Sequence, residues 1–176
     1  RKGGLGVDTG SGSVRFSGVD GDLDVDTGSG DVSCADVTAK RLHVDTGSGS
    51  VAINGARITV LDIDTGSGDV LADDVEAQRV HVDTGSGRVS LELLKDADDV
   101  SIDTGSGGVM MRVPATYSAA FELDTGSGGM DIELPHTMKK HDYGYMSGQI
   151  GDGGGTLKID TGSGGIKILR AARGGS

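Results

Sequence analysis

Apolar and polar residues alternate along this chain in short bursts that recur in register. Aligned on a recurring aspartate, one apolar column stands three residues before it: Leu5, Leu23, Leu42, Leu61, Val80, Val100, Phe121 and Leu157. A second stands one residue before it: Val7, Val25, Val44, Ile63, Val82, Ile102, Leu123 and Ile159. Between the two lie Gly6, Asp24, His43, Asp62, His81, Ser101, Glu122 and Lys158. Apolar–polar–apolar alternation is the period-two mark of a strand with one buried face. The alternation resumes six residues past the aspartate, at Val14, Val32, Val51, Val70, Val89, Val109, Met130 and Ile166. It continues two residues later at Phe16, Cys34, Ile53, Ala72, Leu91, Met111, Ile132 and Ile168. A weaker apolar point follows at Val19, Val37 and Val75. Each repeat is therefore predicted to hold two well-defined strands and a less regular third side.

The aspartate opens the pentapeptide Asp-Thr-Gly-Ser-Gly, which occurs eight times, at Asp8, Asp26, Asp45, Asp64, Asp83, Asp103, Asp124 and Asp160. Its first six intervals are 18, 19, 19, 19, 20 and 21 residues. A period near twenty marks a solenoid whose coils stack as parallel strands about 4.8 Å apart. The Gly-Ser-Gly segment supplies a corner where dihedrals closed to other residues are available. The expected fold is an all-β, single-domain parallel β-helix of about eight to nine coils of roughly 19–20 residues over residues 1–176. It is expected to be right-handed by the usual chirality of parallel crossovers. Regular coils are expected over 5–135, an irregular coil or exposed excursion over 136–156, and a final coil over 157–170. The irregular part rests on Asp142-Tyr143-Gly144-Tyr145-Met146-Ser147-Gly148, a decayed motif whose upstream residues lack the apolar columns.

Composition narrows the function. Thirty-three glycines, two prolines, no tryptophan and 3% aromatics argue against helices and against a core of large rings. The formal net charge is −11, with no concentrated basic patch, which sets nucleic acid and anionic membrane surfaces aside. No apolar stretch of about eighteen residues exists to span a bilayer. The lone Cys34 forms no internal disulfide and sits in a core column, where an inert thiol is expected. The opening Arg1-Lys2-Gly3-Gly4, so close to the first repeat, suggests a domain excised from behind a leader or anchor.

The repeated Val-Asp-Thr-Gly-Ser-Gly-Asp-Val type of coil resembles the bacterial adhesin-type family of β-helical domains of unknown function. Its closing pattern is similar to Gly148-Gln149-Ile150-Gly151-Asp152-Gly153-Gly154-Gly155, leading into Leu157-Lys158-Ile159-Asp160-Thr161-Gly162-Ser163-Gly164. The resemblance implies an exported, periplasmic or cell-surface location and brings no catalytic residues with it.

Several chemistries compete for the motif. Asp-Thr-Gly-Ser is also the active-site string of aspartic proteases, but those need two carboxylates sharing a proton across paired lobes. Eight evenly spaced copies give a line of carboxylates instead. Neighbouring carboxylates about 4.8 Å apart repel by about 0.9 kcal/mol even at the dielectric of water, so the column needs compensation. Each aspartate could accept backbone N–H bonds from its own corner, or Asp45, Asp64 and Asp83 could form a calcium ladder. The first is the expectation, with no metal and no cofactor. The threonines could instead make a water-ordering hydroxyl ladder. His43 and His81 stand two coils apart, too far to share a metal. The stretch from His136 to Tyr145 concentrates unusual side chains, and His136, Lys139, Lys140, His141, Tyr143 and Tyr145 form a candidate partner contact, with an irregular lid as the plain reading. The function expected is a non-enzymatic envelope structural or adhesion module that contacts macromolecules through its repeated faces. The alternative is a docking subunit of a larger membrane-bound complex.

Overall fold

The computed structural model describes residues 3–172, and the chain winds as a β-solenoid. Fifteen strands and no helix are present among these residues. The motif strands are β1 (Leu5–Thr9), β3 (Leu23–Thr27), the ends of β4 (Val32–Thr46), β5 (Val51–Thr65) and β6 (Val70–Thr84), then β8 (Asp99–Thr104), β10 (Ala119–Thr125) and β14 (Gly155–Thr161). The second side is built by β2 (Val14–Asp20), the starts of β4, β5 and β6, then β7 (Val89–Leu93), β9 (Val109–Val113), β11 (Met130–Ile132) and β15 (Ile166–Arg170). Pairing between β4 and β5 breaks only opposite Asp36 and Lys40, so those strands bend round two corners and form a third side between them.

The columns read in the sequence are the inside of the stack. Leu23, Leu42, Leu61, Val25, Val44, Ile63, Val32, Val51 and Ile53 are all buried, and none is more than 2% exposed. Burying one such side chain is worth about 1.5–3 kcal/mol, so a rung that contributes four of them binds firmly to its neighbours. The turn into the third side was not anticipated. Gly18, Asp36, Gly55 and Asp74 hold φ values of 64°, 52°, 72° and 55°. Only Gly, Asn and Asp visit that left-handed region readily, which explains the glycine–aspartate choice there.

Six turns follow one another in chain order, and then the order breaks. The motif strands stack as β1-β3-β4-β5-β6-β8-β14-β10, so the last coil of the sequence lies between the sixth and seventh. β14 pairs in parallel with β8 on one side and with β10 on the other. β15 is likewise held between β9 and β11. After β9 the chain makes a turn in which the Tyr117 amide donates to the Pro114 carbonyl, then skips one level and leaves a slot that residues 155–170 fill. The coil over 157–170 is final in sequence and interior in space.

The segment after β11 is not a ninth coil. β12 (His136–Asp142) and β13 (Tyr145–Ile150) form an antiparallel hairpin, and β13 pairs antiparallel with β10. The physical reason was visible in its composition: β12 has no buried column, and a strand without one cannot wall a coil. Gly144, at φ 73°, makes the tight turn. The hairpin supplies the hydrogen bonds that a next coil would have given β10 and so covers one edge of the stack.

Candidate functional site

The motif distributes its work differently from expectation. From the second rung on, its threonines point inward and are buried, and all but one of these do the capping. Thr46, Thr65, Thr84 and Thr104 donate from Oγ1 to the carbonyls of Gly30, Gly49, Gly68 and Gly87, at 3.2–3.3 Å. Thr125 and Thr161 do the same to Gly164 and Gly107, both at 2.9 Å. Each bond ties one rung to the corner of the rung beside it. Inward threonines exclude a water-ordering surface ladder. Two threonines depart from this: Thr27 has a buried hydroxyl that finds no partner, and Thr9, in the first rung and only half-buried, donates to the Ser11 carbonyl of its own corner at 3.1 Å.

The motif aspartates face solvent, and none is seen accepting the corner amides that the sequence reading assigned to it. Amide capping falls to other carboxylates: Asp31 accepts from the Ser50 amide at 2.9 Å and Asp69 from the Arg88 amide at 2.7 Å. The motif aspartates run in register from Asp8 through Asp26, Asp45, Asp64, Asp83, Asp103 and Asp160 to Asp124. Partial burial holds the carboxyls of Asp64 and Asp103 above the usual range, and the flanking aspartates push them the same way. Among the described residues no group of three or more His, Cys, Asp or Glu side chains is arranged to hold a metal ion, Asp45, Asp64 and Asp83 included.

The column beside them offsets part of this charge. His43 approaches Asp62 through Nδ1 at 3.1 Å, and Arg41 donates to the same carboxylate at 3.0 Å. This outward face carries a regular acidic column beside a mixed polar one. Cys34 is buried, and burial pushes its thiol up to about 11, so it is no nucleophile.

The hairpin gathers the other candidates but gives them separate tasks. His136 donates from Nδ1 to the Leu134 carbonyl at 2.8 Å and meets the Phe121 ring edge-on at 5.9 Å, so it helps seat the hairpin. Tyr145 donates to Glu122 at 2.7 Å, and Lys140 sits 5.1 Å from its ring centroid. That bond to Glu122 is the main cause raising the Tyr145 phenol above its usual range. Lys139 is exposed on β12. Tyr143 stands free at the tip, 91% exposed. His141 and Tyr143 line a cleft of about 600 Å³ whose other wall is the corner Thr125–Met130. Sequence reasoning missed Glu122 and this corner. The available signal was position, since both belong to the last motif before the irregular segment.

No helix among the described residues is long and apolar enough to cross a membrane. No curated protein and no solved structure matches the chain. The family model Toastrack DUF4097 matches residues 2–169. A β-solenoid of in-register coils matched over nearly its whole length belongs to that family: the chain is a member of the Toastrack DUF4097 family.

Proposed function

We propose that this chain is a non-enzymatic module of the cell envelope, exported to the periplasm or cell surface, that binds other macromolecules through its repeated faces. The observation that supports the reading is the outward acidic face. Its aspartate column stays in register through every motif rung, so a partner meets identical carboxylates at a regular spacing. Contacts that are weak singly then add through multivalency, and this is how an adhesive surface without a deep pocket reaches useful affinity. A second reading, a docking subunit of a larger membrane-bound complex, is favoured by Tyr143 beside the end cleft. Tyrosine at such a position is a preferred anchor.

Binding of the chain to a purified bacterial envelope fraction separates the two. Charge removal by Asp45→Asn, Asp64→Asn and Asp83→Asn should weaken binding stepwise if the face is the contact. Tyr143→Ala with Tyr145→Ala should leave it unchanged. The reverse pattern, loss of about 2 kcal/mol or more from the tyrosine pair with circular dichroism intact, overturns the face and assigns the hairpin tip.

A further inference from the structure

The turn into the third side carries a chemistry that the repeat does not. Asn54 is the one asparagine in the chain, and Gly55 follows it. The same place on the neighbouring rungs is held by Ser17-Gly18, Ala35-Asp36 and Asp73-Asp74. Only this rung sets a side-chain amide before a glycine.

Gly55 stands outside the ladder although it lies within β5. Pairing joins Asn54 to Ala35 on one side and to Asp73 on the other. It resumes at Ala56, with Val37 and Val75, and so passes over Gly55 on both faces. A residue that both ladders skip is where a strand opens most cheaply. The φ of Gly55 is 72°, in the left-handed region that glycine adopts without strain. Asn54 is exposed, and Gly55 lines a cleft of about 390 Å³ with Asp36, Arg57, Asp74 and Leu94. Water and base therefore reach this peptide bond. Having no side chain, Gly55 also leaves its nitrogen unshielded toward the amide of Asn54.

We propose that Asn54 is a site of spontaneous deamidation, through a cyclic imide formed with Gly55, and that the change loosens the stack at this rung. The Gly55 nitrogen gives its proton to base and bonds to Asn54 Cγ. The Cγ–Nδ2 bond breaks, and that nitrogen takes up a proton and leaves as ammonia. Water then opens the imide at one of its two carbonyls. Addition at Cγ breaks the new bond and leaves aspartate. Addition at the backbone carbonyl breaks the original peptide bond and leaves isoaspartate, with the chain running through Cγ. Either product adds a negative charge where Asp36, Asp73 and Asp74 already stand, and Asp73 lies directly opposite in register. Like charges so placed are destabilising. Isoaspartate also lengthens the backbone of β5 between β4 and β6, which pair with it on either side.

Peptide mass mapping of the full 176-residue chain, aged in neutral buffer beside the same chain in denaturant, tests this. The fragment carrying residue 54 should gain the mass of an amide-to-acid change, and enzymatic methylation should find isoaspartate in it. Because neither neighbouring strand pairs with Gly55, the folded chain should react within about tenfold of the denatured rate. Asn54→Ser should abolish the gain. Asp20-Gly21 and Asp152-Gly153 isomerise through the same imide without a change of mass, so the mapping keeps them apart. The aged chain should melt below the fresh one, and freshly made Asn54→Asp should fall between them. Slowing by more than about tenfold on folding would show that the native corner shields Asn54, and this overturns the site. An aged chain that carries the mass gain yet melts like the fresh one overturns the effect on the stack.

Discussion

At the scale of single residues, the motif is a device for bringing backbones together. A Cβ on Gly66 would lie 2.6 Å from the Gly47 carbonyl oxygen of the neighbouring rung, and Gly68 holds φ at +155°. One glycine is required by close approach and the other also by its dihedral. Gly66→Val or Gly68→Val should therefore cost more than about 2 kcal/mol, since neither backbone can move without opening the stack. Thermal melting checks this, and an unchanged midpoint would mean that the corner has room. The threonines offer a finer comparison. Thr65 donates to the Gly49 carbonyl, and Thr65→Val removes that bond at nearly constant volume, at a cost of about 1 kcal/mol. Thr27 is equally buried, but its hydroxyl has no partner. Thr27→Val should be neutral or stabilising, because no bond is lost and a desolvated hydroxyl is removed. If both valine variants melt alike, the threonine column acts by shape alone and the carbonyl bonds contribute nothing.

At the scale of strands, the aspartate column is a strain that the apolar columns tolerate. Asp64 and Asp103 have carboxyls raised by partial burial and then by their neighbours. A carboxyl that holds its proton more tightly folded than unfolded weakens the fold once ionised. Stability is then lost as the pH rises through the folded value and regained on acidification. The melting temperature should accordingly rise as the pH falls from 7 toward the carboxylate range near about 4. The gain ends there because those carboxyls are then protonated folded and unfolded alike, and Glu76, lowered chiefly by its bond to Lys95, begins to lose that partner on protonation. Asp64→Asn with Asp83→Asn should flatten the profile, and added salt should do so partly by screening. A melting temperature that falls steadily from pH 7 downward would show that the column carries no net strain. Strand periodicity made these columns legible, because alternation fixes which residues face inward. It could not assign the partner of each polar side chain, so the capping went to the aspartates when the buried threonines perform it. The hairpin was half legible: β12 lacks apolar columns, but only the pairing with β10 reveals that a strand can serve the stack without a buried face.

At the scale of the molecule, the order of the rungs was beyond sequence reading for a definite reason. Identical repeats present identical columns, so pattern matching gives the rung of Asp160 equal claim to a place beyond Asp124 or before it. What decides is the hairpin, which occupies the edge of β10 and leaves only the slot between β8 and β10. This topology couples the end of the chain to the whole cap. In an ordinary solenoid each coil touches only its sequence neighbours, and a terminal coil frays independently. Here the C-terminal coil carries β10, β11 and the hairpin on its far side. Removing its packing should loosen all of them together. Ile159 is fully buried, and Ile159→Ala should cost about 2–5 kcal/mol. Native-state hydrogen exchange would locate that loss. Amides of β10, β13 and β14 should lose protection as one unit, while those of β4 and β5 keep theirs. Val25→Ala, in the second rung, should leave the cap's exchange unchanged. If β10 and β13 stayed protected in Ile159→Ala, the cap would be holding to the stack by contacts other than the inserted coil, and the coupling argued from the rung order would be wrong.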